Sequence, residues 1–346
     1  MKISNDLYKE LSNGRMGNFV IYHTLSDEIS DIDPTYPMLK YVCDRYELNV
    51  EQRYWLAFLF ATCYSAPTVF YIYNEFPDYE NVDVGRLQRW WDSHKQQTVF
   101  QSDRRWIKSR NQFVPMFESY KDHIGNMTQQ ERFASLSAKW PFITYNNAYK
   151  YFSSVKYFGR FSMFLYLESV HVVTGLPMRP TGIDWANAQS SRNGLCFAIG
   201  KDDWLRGHGY GDEPLPDGAY TFLNQEYDRV IDLLKYLKPN SRVDAWNVET
   251  TLCAYKKWEL GQDDPSRQTG NHYRYPGYYL DRQHSEVSKI ASDVRYGVDW
   301  DVLWDFRREC LPAQNLHELG ANNREWSELE MHDRLELLHG QGILVL

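Results

Sequence analysis

The chain has 346 residues, enough for one large domain or two lobes around a sizeable core. Its 43% hydrophobic content excludes a disordered chain, and its formal net charge of −8 argues against a nonspecific nucleic-acid binder with a basic surface. Aromatic residues reach 16%, with 26 Tyr and 12 Trp, which suits a tyrosine-rich core or a set of stacking platforms for bases or sugars. The opening MKISNDLYKELSNG lacks an apolar signal core, and the longest apolar run, around Trp55–Phe60, is too short to span a bilayer. A short amphipathic helix is predicted from Thr35 to Tyr46. Asn49 with Gln52 reads as a capping pair ahead of a buried helix over Arg53–Cys63. Ser65-Ala66-Pro67 breaks it, and Pro67 suits the first turn of a second helix that Phe76-Pro77-Asp78 stops. A polar, basic segment follows over Gly85–Arg110. The strongest apolar helical signal lies between Ala148 and Val173, interrupted at Gly159. Gly175–Gly182 and the Gly- and Pro-rich Gly207–Gly218 read as loops. Helices fit Tyr220–Leu237, Asp244–Trp258, Asp281–Val294, Trp300–Arg308 and Asn323–Leu338. Strand signals are few, so the fold class is mainly α.

Several chemistries lack their residues. No P-loop glycine-lysine pattern is present, so phosphoryl transfer by that route is excluded, and there is neither a zinc-protease HExxH nor a serine-hydrolase elbow. The five cysteines, Cys43, Cys63, Cys196, Cys253 and Cys310, are scattered without a CxxC pair, which fits reduced thiols better than a zinc site or a disulfide framework. His171 and His208 stand alone. No metal site follows from the spacing and no cofactor is required; carboxylate-bound Mg2+ stays open.

Two stretches resemble the helix-hairpin-helix DNA glycosylases. In Arg53–Pro77 a buried helix ends in Thr62-Cys63-Tyr64-Ser65 and the next ends in Phe76-Pro77. In those enzymes the equivalent turn lines the base pocket, which implies Thr62 and Tyr64 there. In Val155–Asp184, Phe158-Gly159-Arg160 precedes an apolar helix and Asp184 follows its far loop. The resemblance implies a hairpin that grips a DNA phosphate through Gly159 and Arg160 and a catalytic Asp184. Phe161 stands where lyase-type glycosylases carry lysine, so Schiff-base strand cleavage is not expected.

A broader resemblance covers most of the chain. RYWLAFLFATCYSAPTVFYIYNEFPD (Arg53–Asp78), TVFQSDRRWIKSRNQF (Thr98–Phe113), SSRNGLCFAIGKDD (Ser190–Asp203), NVETTLCAYKKW (Asn247–Trp258) and RYPGYYLDR (Arg274–Arg282) are similar to the phage amino acid:DNA transferases, also called α-glutamyl/putrescinyl thymine pyrophosphorylases. The helical domain of phage 5-hydroxymethyluracil DNA kinases is a cousin. The resemblance implies a two-lobed, glycosylase-like helical fold, with a core at about 35–205 and a C-terminal extension at about 206–346. It implies an enzyme that displaces pyrophosphate from 5-pyrophosphoryloxymethyluracil in double-stranded phage DNA with the amine of a free amino acid, often glycine. It also implies a place in the cytoplasm of the infected bacterium, with no membrane partner.

Such a displacement needs a neutralised leaving group, a deprotonated amine and two reactants held in line, on a base that is extruded from the duplex. Asp184 is the candidate base or cation-stabilising carboxylate; its alternative role is a helix cap. Arg192 and Asn193, read as part of an Asn-Gly turn, suit pyrophosphate or the amino-acid carboxylate. Glu249 and Lys256 lie seven apart on one helical face, with Cys253 between them. They suit the substrate ammonium and pyrophosphate respectively, or else form an exposed surface pair. Arg282 joins the anion-binding group, and Tyr278 and Tyr279 suit stacking on the base or simple burial. For DNA, Gly85–Arg110 carries seven cations against Asp92 and Asp103, with Trp90, Trp91 and Trp106 interleaved. Arg104, Arg105 and Lys108 are the contacts expected there, unless the segment is an ordinary solvated helix face. Two other readings stay open: a glycosylase excising a modified thymine, and a nonenzymatic module that recognises hydroxymethyluracil DNA.

Overall fold

Asn49 accepts the backbone N–H of Gln52 at 3.0 Å, and the Gln52 side chain accepts the N–H of Asn49 at 3.1 Å, so a capping box starts the helix Val50–Cys63. In the computed structural model, which describes residues 14–28, 30–98, 100, 110–207, 210–239, 243–262 and 279, the chain is built from helices and no strand occurs among the described residues. These residues fall into two compact units, one drawn from 1–33 and 181–281 and the other from 34–180. The helices expected at 281–294, 300–308 and 323–338 lie outside the described residues.

In the unit spanning 34–180, eight helices follow in order: α2 (Thr35–Arg45), α3 (Val50–Cys63), α4 (Ala66–Glu75), α5 (Val84–His94), α6 (Phe113–Ile124), α7 (Gln129–Leu136), α8 (Pro141–Phe152) and α9 (Arg160–Thr174). Ten consecutive residues of α3, Tyr54 to Cys63, are buried, as expected of a helix that is apolar all round. It packs along α9, which is buried from Ser162 to Val170. Phe58 of α3 stacks on Tyr120 of α6 at 4.1 Å. The Tyr120 and Tyr166 hydroxyls meet at 2.7 Å, and Tyr120 donates to Gln129 Oε1 at 2.8 Å, which leaves Tyr166 as donor to Tyr120. Burial holds both phenols well above the ordinary tyrosine range. Gln129 in turn donates to the Glu51 backbone oxygen at 3.0 Å. The Glu51 carboxylate accepts the backbone N–H groups of Gln129 and Gln130 at 2.9 and 2.7 Å, so a side chain of α3 caps the N-terminus of α7. Trp55 donates to the carbonyl of Phe76 at 2.7 Å, which ties the end of α4 to the centre of α3.

The other unit holds α1 (Gly14–Glu28), α10 (Gln189–Ala198), α11 (Ala219–Leu237) and α12 (Ala245–Gln262). Helices α1 and α12 run antiparallel. The Tyr255 hydroxyl donates to Arg15 O at 2.6 Å, Phe19 meets the Tyr255 ring edge-on at 5.4 Å, and His23 lies one turn further on against Thr251. The expected turn at Ser190–Gly194 is instead helix α10, for a reason given below.

His23 is buried in that seam, with Nδ1 2.8 Å from Thr251 Oγ1. Thr251 has the Asn247 carbonyl at 3.1 Å as acceptor for its own proton, which assigns the imidazole proton to Nδ1. Burial, with Lys238 nearby, lowers the pKa of His23 from 6.5 to about 3, against an opposing pull from Asp244. Between those pH values only the unfolded chain binds the proton. The stability that neutral His23 contributes is therefore complete above about pH 6.5 and lost as pH falls toward 3. Urea unfolding across this window is expected to show wild-type stability falling, relative to His23→Gln, by about 1.4 kcal/mol per pH unit. Parallel pH profiles for the two proteins would refute the assignment.

Candidate functional site

Asp184, Arg192, Asn193, Glu249 and Lys256 all lie in the unit built from α1, α10, α11 and α12. Asp184 opens a turn into α10: its backbone oxygen accepts Asn187 N at 3.1 Å and Ala188 N at 2.7 Å, and its carboxylate accepts the Asn187 side-chain amide at 2.9 Å. The carboxyl group is exposed. Trp185, next in the chain, is buried and donates to Asn224 Oδ1 of α11 at 2.8 Å. The turn is folded around Arg192, whose Nη1 donates to the carbonyls of Trp185 at 3.0 Å and Ala186 at 3.4 Å. Arg192 therefore lies within hydrogen-bond reach of the backbone adjoining Asp184.

Arg192 is 7% exposed. Its Nε is buried and takes no hydrogen bond, and the guanidinium makes no ion pair among the described residues. A buried cation satisfied only by carbonyls is costly, and its uncompensated charge favours an anion. The thiol of Cys196, one turn on, is pushed up by burial to about 11, with Arg192 and Arg206 pulling it down and Asp203 adding to the rise.

Helix α10 crosses α12 at Gly194. A Cβ added there would lie 2.6 Å from the carbonyl carbon of Leu252 and 3.1 Å from its Cα, so backbone meets backbone. This is why Ser-Ser-Arg-Asn-Gly is helical: its glycine is used for close approach rather than for a positive φ. One turn earlier, Ser190 Oγ sits 2.8 Å from Cys253 Sγ of α12. Cys253 lies on one face of α12 with Glu249 and Lys256, each 8% exposed. The pair is thus not an exposed surface pair. The Lys256 ammonium lies 4.9 Å from the centre of the Tyr210 ring. Asn193 is fully buried: its amide donates to Arg206 O at 2.8 Å and its oxygen accepts Arg206 N at 3.2 Å. Sequence reasoning missed Tyr210 and Trp185, and took Asn193 for a ligand contact.

The unit spanning 34–180 holds the remaining described candidates. The Thr62 hydroxyl is buried and committed to Leu59 O at 2.7 Å. Tyr64 ends α3 in the left-handed region, φ 48°, with its ring against Phe60. Gly159 is the exposed N-cap of α9, with open space where a Cβ would stand, and the Arg160 guanidinium lies over Phe164. Within Gly85–Arg110, Arg86 pairs with Glu75 and Lys95 with Asp92. Arg110 donates twice to the Thr98 carbonyl, at 3.0 and 2.7 Å. Arg104, Arg105, Lys108, Tyr278 and Arg282 lie outside the described residues; Tyr279 is helical and half-buried. No group of three or more His, Cys, Asp or Glu with metal-binding geometry occurs among the described residues. None of the described helices is long and apolar enough to cross a membrane.

Comparison with known proteins adds two matches. Residues 27–264 match a family model described as amino acid:DNA transferase. A serinyltransferase of Salmonella phage ViI is 30% identical over 283 residues, which is 78% of this chain and 66% of that protein, so the chain spans just under two thirds of the relative's length. No solved structure matches. The family match includes Asp184, Arg192, Asn193, Gly194, Glu249 and Lys256.

Gly194→Ala is expected to destabilise the protein by about 3 kcal/mol, the upper part of the range for an overpacked core. Gly200→Ala, at a position with open space but φ 71°, should cost about 1 kcal/mol. Urea titration of both variants checks the order, and a Gly194→Ala protein as stable as wild type would remove the crossing constraint.

Proposed function

The chain belongs to the amino acid:DNA transferase family, and from that premise we propose that it joins a small free amino acid to 5-pyrophosphoryloxymethyluracil in double-stranded phage DNA. A new bond forms from the amine nitrogen to the exocyclic methylene carbon of the base. The bond from that carbon to the pyrophosphate oxygen breaks and takes the electron pair, and the amine proton passes to a base. The observation that carries the reading is the buried guanidinium of Arg192 beside the Asp184 turn, which makes no ion pair among the described residues.

In this scheme Arg192 and Lys256 neutralise the leaving pyrophosphate or hold the amino-acid carboxylate. Glu249 holds the incoming ammonium. Asp184, exposed at the mouth of α10, takes the amine proton or steadies the electron-poor carbon as pyrophosphate departs. Tyr278 and Tyr279 serve as rings for the base, and the Thr62 hydroxyl, committed to Leu59 O, is not spent on it. Arg104, Arg105, Lys108, Gly159 and Arg160 belong to the DNA grip. No organic cofactor takes part; Mg2+ serves, where present, as a companion to pyrophosphate. The reaction runs in the cytoplasm of the infected bacterium. Glycine is the amino acid expected from the family resemblance, whereas the relative from phage ViI is a serinyltransferase by name. Serine offers two nucleophiles, an amine and a hydroxyl.

The test is to incubate the protein with DNA bearing the pyrophosphorylated base and a pool of amino acids, digest to nucleosides, and weigh them by mass spectrometry. A nucleoside heavier by one amino acid, formed only with the pyrophosphate present, is the expected product. Its mass names the donor, and its fragmentation names the linking atom. Arg192→Ala should lower kcat/KM at least tenfold, the effect of losing about 1.4 kcal/mol of transition-state stabilisation. An abasic product would replace this reading with the glycosylase, and intact nucleosides despite tight binding would replace it with the recognition module. Base extrusion is checked separately: 2-aminopurine beside the target should brighten on binding, and unchanged fluorescence removes extrusion from the scheme.

A further inference from the structure

The amide of Asn193 is engaged at both ends by a single residue. Buried from solvent, it donates through Nδ2 to the carbonyl of Arg206 and accepts the N–H of the same residue through Oδ1. A second α10 side chain, Gln189, donates to that carbonyl at 3.0 Å. The next residue, Gly207, sits at φ 63°, a conformation that favours glycine, with the end of the Gln189 side chain close by. Gly207 N donates to Gly211 O at 3.1 Å and Tyr210 N donates to Gly207 O at 3.0 Å, which closes a tight turn. The Arg206 side chain is itself committed to the turn, donating to the carbonyls of Asp203 at 2.6 Å, Leu205 at 2.8 Å and Glu213 at 2.6 Å. The ring of Tyr210 that this turn presents faces the ammonium of Lys256, itself nearly buried on α12.

We infer that Asn193 is a positioning residue: through the backbone of Arg206 it seats the Tyr210 ring on the Lys256 ammonium, and this seating sets how available that ammonium is to an anion. An aromatic face attracts a cation without taking its proton, so the ring adds to the hold on the buried ammonium and its removal leaves that ammonium more reactive. The bearing of this on amino-acid transfer rests on the reading above, in which Lys256 receives pyrophosphate or carboxylate. The geometric claim does not.

The experiment is reductive methylation of the full-length protein without DNA or amino acid, with labelling of Lys256 followed by peptide mass spectrometry and Lys257 as internal control. Asn193→Ala and Tyr210→Leu should each speed Lys256 labelling roughly two- to fivefold, the change that loss of a modest cation–π contact supports. Tyr210→Phe keeps the ring and should label at the wild-type rate, as should Lys257 throughout. Wild-type labelling of Lys256 in Tyr210→Leu overturns the inference, and so does faster labelling in Tyr210→Leu with none in Asn193→Ala. Should Asn193→Ala not fold, Asn193→Asp keeps the acceptor for Arg206 N–H and loses the donor to Arg206 O. It should speed labelling in the same direction, and an unchanged rate overturns the inference. Because no transfer is measured, the outcome is independent of the transfer assay.

Discussion

Gly194 places the backbone of α10 against the backbone of α12, and the candidate site follows from that contact. A side chain at this position would part the helices, since the carbonyl of Leu252 occupies the volume that a Cβ needs. With the helices in contact, Ser190 reaches Cys253, and the face of α12 carrying Glu249 and Lys256 is buried rather than solvated. The same rotation of α10 turns Arg192 back toward the Asp184 turn and Asn193 toward Arg206. Helix packing by small residues brings polar side chains into desolvated surroundings, where each hydrogen bond and charge counts for more than in water.

That burial is expensive, and its pattern is informative. Lys and Arg are almost never buried without a partner, because desolvation of the charge outweighs what carbonyls or a ring return. Arg192 keeps two carbonyls and an Nε with no hydrogen bond among the described residues. A structural ion pair would have met that charge with an adjacent carboxylate, and Arg192 has none among the described residues. The Tyr120, Tyr166, Gln129 and Glu51 chain in the other unit is the contrast: there each buried hydroxyl meets a partner and the network closes on a helix N-terminus. That network is complete within the protein, whereas the Arg192 guanidinium is met by backbone carbonyls among the described residues.

How much of this was legible in the sequence depended on whether the cause was local. The box at Asn49 and Gln52, the break at Ser65-Ala66-Pro67 and the glycine before α9 are signals read within four residues, and each element begins or ends where they predict. The residues Arg192, Glu249 and Lys256 were legible as chemistry because charges interrupting buried helical faces are conspicuous. The helix at 189–198 was not, because Asn-Gly is the local signature of a turn and its use in packing depends on Leu252, 58 positions away. The bonds of Asn193 to Arg206 were hidden for the same reason, since an amide beside an arginine gives no local sign of a partner thirteen positions on. Tyr210 carries no signal at all without the fold.

The distribution of cations also separates two tasks that net charge blurs. A DNA backbone is met by exposed, mobile lysines and arginines, whose contribution is counterion release and fades with salt. A small, doubly or triply charged leaving group needs fixed donors in a desolvated place, where their field is not screened. In the basic strip, Arg86 and Lys95 are already paired with carboxylates, and Arg110 is bound to Thr98. Three of the strip's seven cations thus have partners within the protein. Arg192 and Lys256 are of the other kind: buried, oriented by backbone and ring, and held on two helices whose separation a single glycine sets. Buried cations of this kind suit a small anion, whereas a duplex backbone is met by groups that water can reach.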